Sequence, residues 1–187
     1  MIICPCFNKK GIVMKIIICL VFVFLSFNSY AGQWKAKYFS DGMRGTVIKE
    51  LVTESTNNVY FDAPYDGGSK MELILRSKWT KLQKGQDINT LKPADVLLTI
   101  KPGQFNCILY EECSISVKFD DGKILRYKAR TSSDGSSDVI FIRNGASFIK
   151  NVGAHKKLIV ESGFYQGGNR QFYFDIEGYK EKLNQNM

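Results

Sequence analysis

Histidine is nearly absent: the 187 residues include one, His155. A metal site built from several imidazoles is therefore excluded, and a Ser-His-Asp triad would have to draw on that one side chain. No Gly-x-Ser-x-Gly nucleophile elbow occurs; Gly145-Ala146-Ser147 and Gly163-Phe164 come nearest and do not fit. His155 follows a short predicted helix and precedes Lys156-Lys157, the setting of a surface residue at a helix end. Gln166-Gly167-Gly168-Asn169 lacks the lysine and the strand-to-helix context of a phosphate loop, and reads as a turn needing positive φ. No cofactor motif occurs, and no cofactor or metal is expected. Interior linkers, repeats and low-complexity blocks are also missing, which leaves a single domain.

No apolar run approaches the roughly twenty residues that a helix needs to cross a bilayer. The longest, residues 16–27, follows Lys9, Lys10 and Lys15 and precedes Ser29-Tyr30-Ala31. Positive charge, a short apolar core and small residues before a cut site are the parts of a cleavable signal peptide. The expected division is a signal peptide at 1–31 and a single β-rich domain at 32–187, beginning at Gly32. Met14 is an alternative start, which would leave residues 1–13 as an untranslated extension. Cys19 lacks the small residues that precede a lipidated cysteine. The expectation is a protein of the periplasm or the secreted fraction, without a transmembrane anchor.

Cleavage changes what remains. It removes three basic and no acidic residues, lowering the net charge from +8 to +5. A charge of that size keeps a small domain soluble and is compatible with polyanionic partners. In an exported protein the expected partner is another envelope or secreted protein, and not nucleic acid. Of the five cysteines, Cys4, Cys6 and Cys19 leave with the signal. Cys107 and Cys113 remain as an even pair in an oxidising compartment, and a disulfide is expected between them. So short a loop gives about 2 kcal/mol by the chain-entropy argument. The spacing is not that of a C-x-x-C redox pair.

Short strands separated by turns dominate the rest. Met71, Leu73 and Leu75 share one side of a strand, and 96–100 is continuously apolar. Segment 115–119 alternates, Asp120-Asp121-Gly122-Lys123 turns, and 124–130 returns, which predicts a β-hairpin. Residues 77–93 show no period and read as a long connection. Phe148, Ile149 and Val152, with Gly153 at the stop, predict one short helix, and a helical tail follows Tyr179. Eight or nine strands and one small helix predict a mainly β fold, an antiparallel sandwich or a partly open barrel.

The candidate chemistry is sparse. Glu111-Glu112 and Asp120-Asp121 are adjacent pairs, whose side chains point to opposite faces of a strand and so make poor acid–base couples. Asp134 and Asp138 sit among serines, without the alternating ligands of a calcium loop. Aromatics are plentiful, at 13% of the chain. Tyr60, Tyr65, Tyr110 and Tyr165 neighbour turns and, with Arg170, predict an exposed binding rim.

The order of several features resembles a loose group of small secreted bacterial proteins. These features are Trp34, Asp41-Gly42-Met43-Arg44-Gly45, Gly103-Gln104-Phe105-Asn106-Cys107, the stretch from Cys113 to Gly122, and Phe172-Tyr173-Phe174-Asp175-Ile176-Glu177-Gly178. The plan is also similar to that of invasion-associated locus B and type VI secretion accessory proteins. The resemblance implies an envelope or secreted β-sandwich and carries over no catalytic residues. Together these observations lead to an exported, non-enzymatic interaction protein: an accessory, inhibitor or immunity-type factor. The alternatives are an envelope hydrolase with dispersed carboxylates, drawing on Glu112, Asp134 or Asp138, and a carrier of small ligands or lipids.

Overall fold

Alternating apolar and polar residues become strand through most of the chain. The computed structural model describes residues 33–108 and 112–184. The expected signal segment and cut site, with Cys4, Cys6, Cys19 and the alternative start at Met14, lie outside the described residues. The strands are β1 (Lys35–Asp41), β2 (Thr46–Glu54), β3 (Val59–Phe61), β4 (Gly67–Ser77), β5 (Pro93–Lys101), β6 (Cys113–Phe119), β7 (Ile124–Thr131), β8 (Val139–Ile142), β9 (Lys157–Phe164) and β10 (Gly168–Asp175). Two helices, α1 (Gly145–Val152) and α2 (Tyr179–Asn184), complete the described elements, with a single 3-10 turn at Ile88–Thr90.

All strands join one antiparallel sheet in the order β1-β2-β4-β5-β8-β7-β6-β9-β10, with β3 attached to β4. The fold is mainly β, as expected, and the sheet is open. It curls so that its concave side holds one core. Leu51, Met71, Leu73, Leu75, Leu98 and Ile100 meet Ile115, Val117, Ile140, Val160 and Phe172 there, all essentially inaccessible to water. The expected side of β4 is thus the inner one. Burying such side chains contributes about 1.5–3 kcal/mol each.

The predicted helix is α1. Phe148 and Val152, one turn apart, turn inward, and Phe148 meets the rings of Phe119 and Tyr127 edge-on at 5.6 and 5.2 Å. Trp34 closes the same end: its indole N–H donates to the Ile176 carbonyl (3.2 Å) and its ring lies 5.4 Å from that of Tyr179. Desolvation pushes the Tyr179 phenol up to about 12.

The sheet's last edge is occupied. Thr56, in the β2–β3 connection, donates its amide N–H to the Tyr173 carbonyl (2.7 Å). The Asn57 side chain accepts from the Tyr173 N–H (2.9 Å) and donates to the Gln171 carbonyl (3.0 Å). The convex side carries a second apolar cluster, Val52, Ile74 and Leu97, with Val139 and Phe141 packed against it. The apolar run in β5, broken only by the half-buried Thr99, is explained by this arrangement, since Leu97 is covered on the outer face as Val96, Leu98 and Ile100 are on the inner one. Cys107 and Cys113 form the expected disulfide, packed against the core at the start of β6. Among the described residues no helix is long and apolar enough to cross a membrane.

Candidate binding rim

Three connections converge at the end of β9 away from α1: the β3–β4 turn, the β5–β6 segment and the β9–β10 turn. Backbone pairing pins the β5–β6 segment to the end of β9, to the β9–β10 turn and to the β7–β8 connection. Tyr165 donates its N–H to the Gln104 carbonyl (2.9 Å), Asn106 to the Gly163 carbonyl (2.9 Å) and Phe105 to the Ser137 carbonyl (2.8 Å). The disulfide follows immediately at Cys107 and fixes the far side of the same segment.

Beneath the backbone lies an aromatic floor. Phe164 stands 5.1 Å from Phe61, 5.1 Å from Phe105 and 5.7 Å from Phe172, ring centre to ring centre. Tilted and offset rings at these distances add about 0.5–1.5 kcal/mol per pair beyond the area they bury. Two glycines allow the approach. A Cβ on Gly167 would lie 2.8 Å from Phe61 Cδ1, and one on Gly103, at φ +144°, 2.8 Å from Ile100 Cγ1. The positive φ expected in the 166–169 turn falls on Gln166 and Gly168.

Two of the candidate tyrosines, Tyr65 and Tyr165, meet at Gln104. The Tyr65 hydroxyl donates to Gln104 Oε1 (2.7 Å), and its ring packs against the core. Tyr60 and Tyr165 are exposed, at 70% and 48%, and the Tyr165 hydroxyl accepts from Gln166 Nε2 (3.5 Å). Gln104 therefore joins Tyr65 and Tyr165, one through its side chain and one through its carbonyl, a role that composition alone did not reveal. Arg170 directly follows the 166–169 turn, with Nη1 donating to the Asn169 carbonyl (3.1 Å). Tyr110 lies outside the described residues, as do Leu109 and Glu111.

The other candidates are held separately. His155 lies three residues beyond α1, with Nδ1 2.8 Å from the Asn151 carbonyl and its ring 5.3 Å from that of Phe119. Glu112 pairs with Arg143 (3.3 Å) and Asp138 with Lys101 (3.6 Å). Asp134 accepts from the Ser136 N–H (2.9 Å), and its hydrogen bonds with Ser136 and Ser132 hold its carboxyl below the usual range. Asp120 takes the N–H groups of Lys156 and Lys157 (3.1 and 2.8 Å), joining the β6–β7 turn to β9.

Sequence reasoning passed over Lys49. Its side chain points inward, only 3% of the residue is exposed, and Nζ donates to the Asn89 carbonyl (2.9 Å). Desolvation pushes its ammonium down from the ordinary lysine value, against the pull of Asp87. Nothing in the apolar run around it marks it as different from the exposed lysines.

No protein-family model matches the chain, and no curated protein sequence matches it. The crystal structure of invasion-associated protein B from Bartonella henselae is similar over 86% of this chain and 95% of that one. The TM-score is 0.40 and the identity 14%, so the resemblance is loose.

Proposed function

We propose that the chain is an exported, non-enzymatic interaction protein that grips an envelope or secreted protein through the Tyr60–Tyr65–Tyr165 rim, as an accessory, inhibitor or immunity-type factor. The observation that carries this is the pairing of exposed rings with a rigid base. Tyr60 and Tyr165 are exposed, while Gln104, Phe61, Phe105 and Phe164 hold the backbone beneath them. Tyrosine offers large contact area with only two side-chain torsions to freeze, so a preset rim loses little entropy on binding. Tyrosine, with tryptophan and arginine, is enriched among the residues that anchor protein interfaces. Export is supported by the charged, apolar and small-residue order of the first 31 residues and by the Cys107–Cys113 bond. The carrier alternative draws no support from a concave side filled by Phe105, Phe148, Phe172, Leu98 and Ile140.

Crosslinking and affinity recovery from envelope extract, at native expression, should return one stoichiometric partner. The double variant Y60A/Y165A should lose it while unfolding at an unchanged temperature. Undiminished recovery by the variant, or no partner for the parent protein, would overturn the proposal.

A further inference from the structure

No rim residue lies on the convex face of β7, and that strand differs from its neighbours in charge. Tyr127 and Ala129 point into the core. Alternation then sends Ile124, Arg126, Lys128 and Arg130 outward, and all four are exposed. At about 3.4 Å per residue, the three cations stand about 7 Å apart in a row.

Their neighbours leave the charge uncompensated. On β6, Ser114 opposes Lys128, Ser116 opposes Arg126 and Lys118 opposes Ile124; on β8, Phe141 opposes Arg130. Among the described residues, Lys118, Arg126, Lys128 and Arg130 have neither an ion pair nor a side-chain hydrogen bond. The row runs between two clefts. One, of about 280 Å³, is walled by Ile124, Ile159, Lys118, Glu161 and Gln171. The other, of about 300 Å³, is shared by Arg130, Phe141, Arg143 and Asp95.

We infer that this face docks an extended acidic segment of a partner protein. Its carboxylates at alternate positions would face Arg126, Lys128 and Arg130, and an apolar side chain would sit between Ile124 and Ile159. Two features favour a peptide over a continuous polyanion such as a lipid surface or a nucleic acid. An extended peptide repeats like side chains at the same spacing of about 7 Å. Each cleft also holds a carboxylate, Glu161 in one and Asp95 in the other, which opposes unbroken negative charge but tolerates an apolar or neutral residue. The surface does not depend on the tyrosine rim.

The test uses fluorescence anisotropy with a labelled peptide that alternates glutamate with alanine and carries one leucine. Its glutamine counterpart, phosphatidylglycerol vesicles and an oligothymidine serve as comparison probes. The glutamate peptide should bind saturably, and more weakly as salt rises. R126Q/K128Q/R130Q should weaken it about tenfold, and each single substitution about two- to threefold, so the singles suffice if the triple variant fails to fold. K81Q/K84Q/K92Q, which removes equal charge from exposed positions elsewhere, and Y60A/Y165A should bind like the parent. Three results would each sink the inference: no binding of the glutamate peptide, equal loss in the K81Q/K84Q/K92Q protein, or vesicles or oligothymidine bound as tightly through the same three residues.

Discussion

The convex face has two halves built from the same alternating pattern and finished in opposite ways. On β2, β4, β5 and β8 the outward side chains Val52, Ile74 and Leu97 are buried, with Val139 and Phe141 beside them. Charges of both signs border this strip and satisfy one another. Glu50 opposes Lys37 on one side and Arg76 on the other, and Asp95 pairs with Arg76 (3.7 Å) and Lys78 (2.6 Å). Glu72 pairs with Lys37 (3.5 Å) and Glu54 with Lys70 (3.7 Å). The Arg76 guanidinium lies 5.3 Å above the Phe141 ring, so that its stem covers apolar surface while its head remains charged. On β7 and β6 the outward residues are Arg126, Lys128, Arg130 and Lys118, with serines between them and Ile124 69% exposed. A sheet face is therefore not committed to core or solvent by its period. The next strand's side chains decide, by covering apolar groups and neutralising charge or by leaving both open.

Removing a buried group should separate the halves most clearly. Leu97→Ala, at a residue 5% exposed, should lower stability by about 2–3 kcal/mol in chemical denaturation. Ile124→Ala should change it by less than about 0.5 kcal/mol. Equal losses would mean that the second half hides its apolar groups as well as the first. A smaller contrast is expected between arginines. Arg76→Ala forfeits the ring contact and the Asp95 pair, a loss of about 1 kcal/mol, reduced because Arg76 Nε is buried without a hydrogen-bond partner. Arg126→Ala should stay within about 0.5 kcal/mol of the parent, or stabilise it by easing like-charge repulsion. A loss as large as that of Arg76→Ala would point to a native partner for Arg126.

The smallest effect is in the pH dependence. Burial pushes the Glu50 carboxyl above its ordinary 4.5, against the pull of Arg76 and Lys37, and Glu72 adds to the rise. The folded state then holds this proton more tightly than the unfolded state. Stability contributed by the protonated form should fall as pH rises from the ordinary glutamate range through the raised value. Denaturation midpoints of the parent and Glu50→Gln, compared across that window, should converge at its acid end and diverge toward neutrality, with the variant the more stable. Parallel curves would show that Arg76 and Lys37 fully compensate the burial.

Local order was readable and long-range order was not. The Asp120–Lys123 turn, the short helix with Phe148 and Val152 on its inner side, and the Cys107–Cys113 bond each follow from residues close together in the chain. That β5 pairs with β8, or that β6 lies beside β9, depends on which apolar faces meet after collapse, and nothing local encodes it. Candidate residues divide the same way. Tyr65 and Tyr165 stand beside turns and were visible as rim candidates, whereas Gln104, which joins them through its side chain and its main-chain carbonyl, is an ordinary polar residue until the connections meet. The β7 cations recur at every second position, a signal available to a period-two reading. That no carboxylate pairs with them is a property of the register alone.

The amide of Asn57 has a consequence for how these molecules behave in each other's company. An open sheet ends in rows of bare donors and acceptors, which can template the addition of a strand from another molecule. Here one carboxamide imitates a strand residue, giving to Gln171 and taking from Tyr173, so the last strand is stoppered by a side chain. Growth by strand addition is thereby steered to the opposite margin, β1, where Lys35 stands exposed and Lys37 is held by Glu72. One edge of the open sheet is thus closed by Thr56 and Asn57, and the other carries its charge in the open.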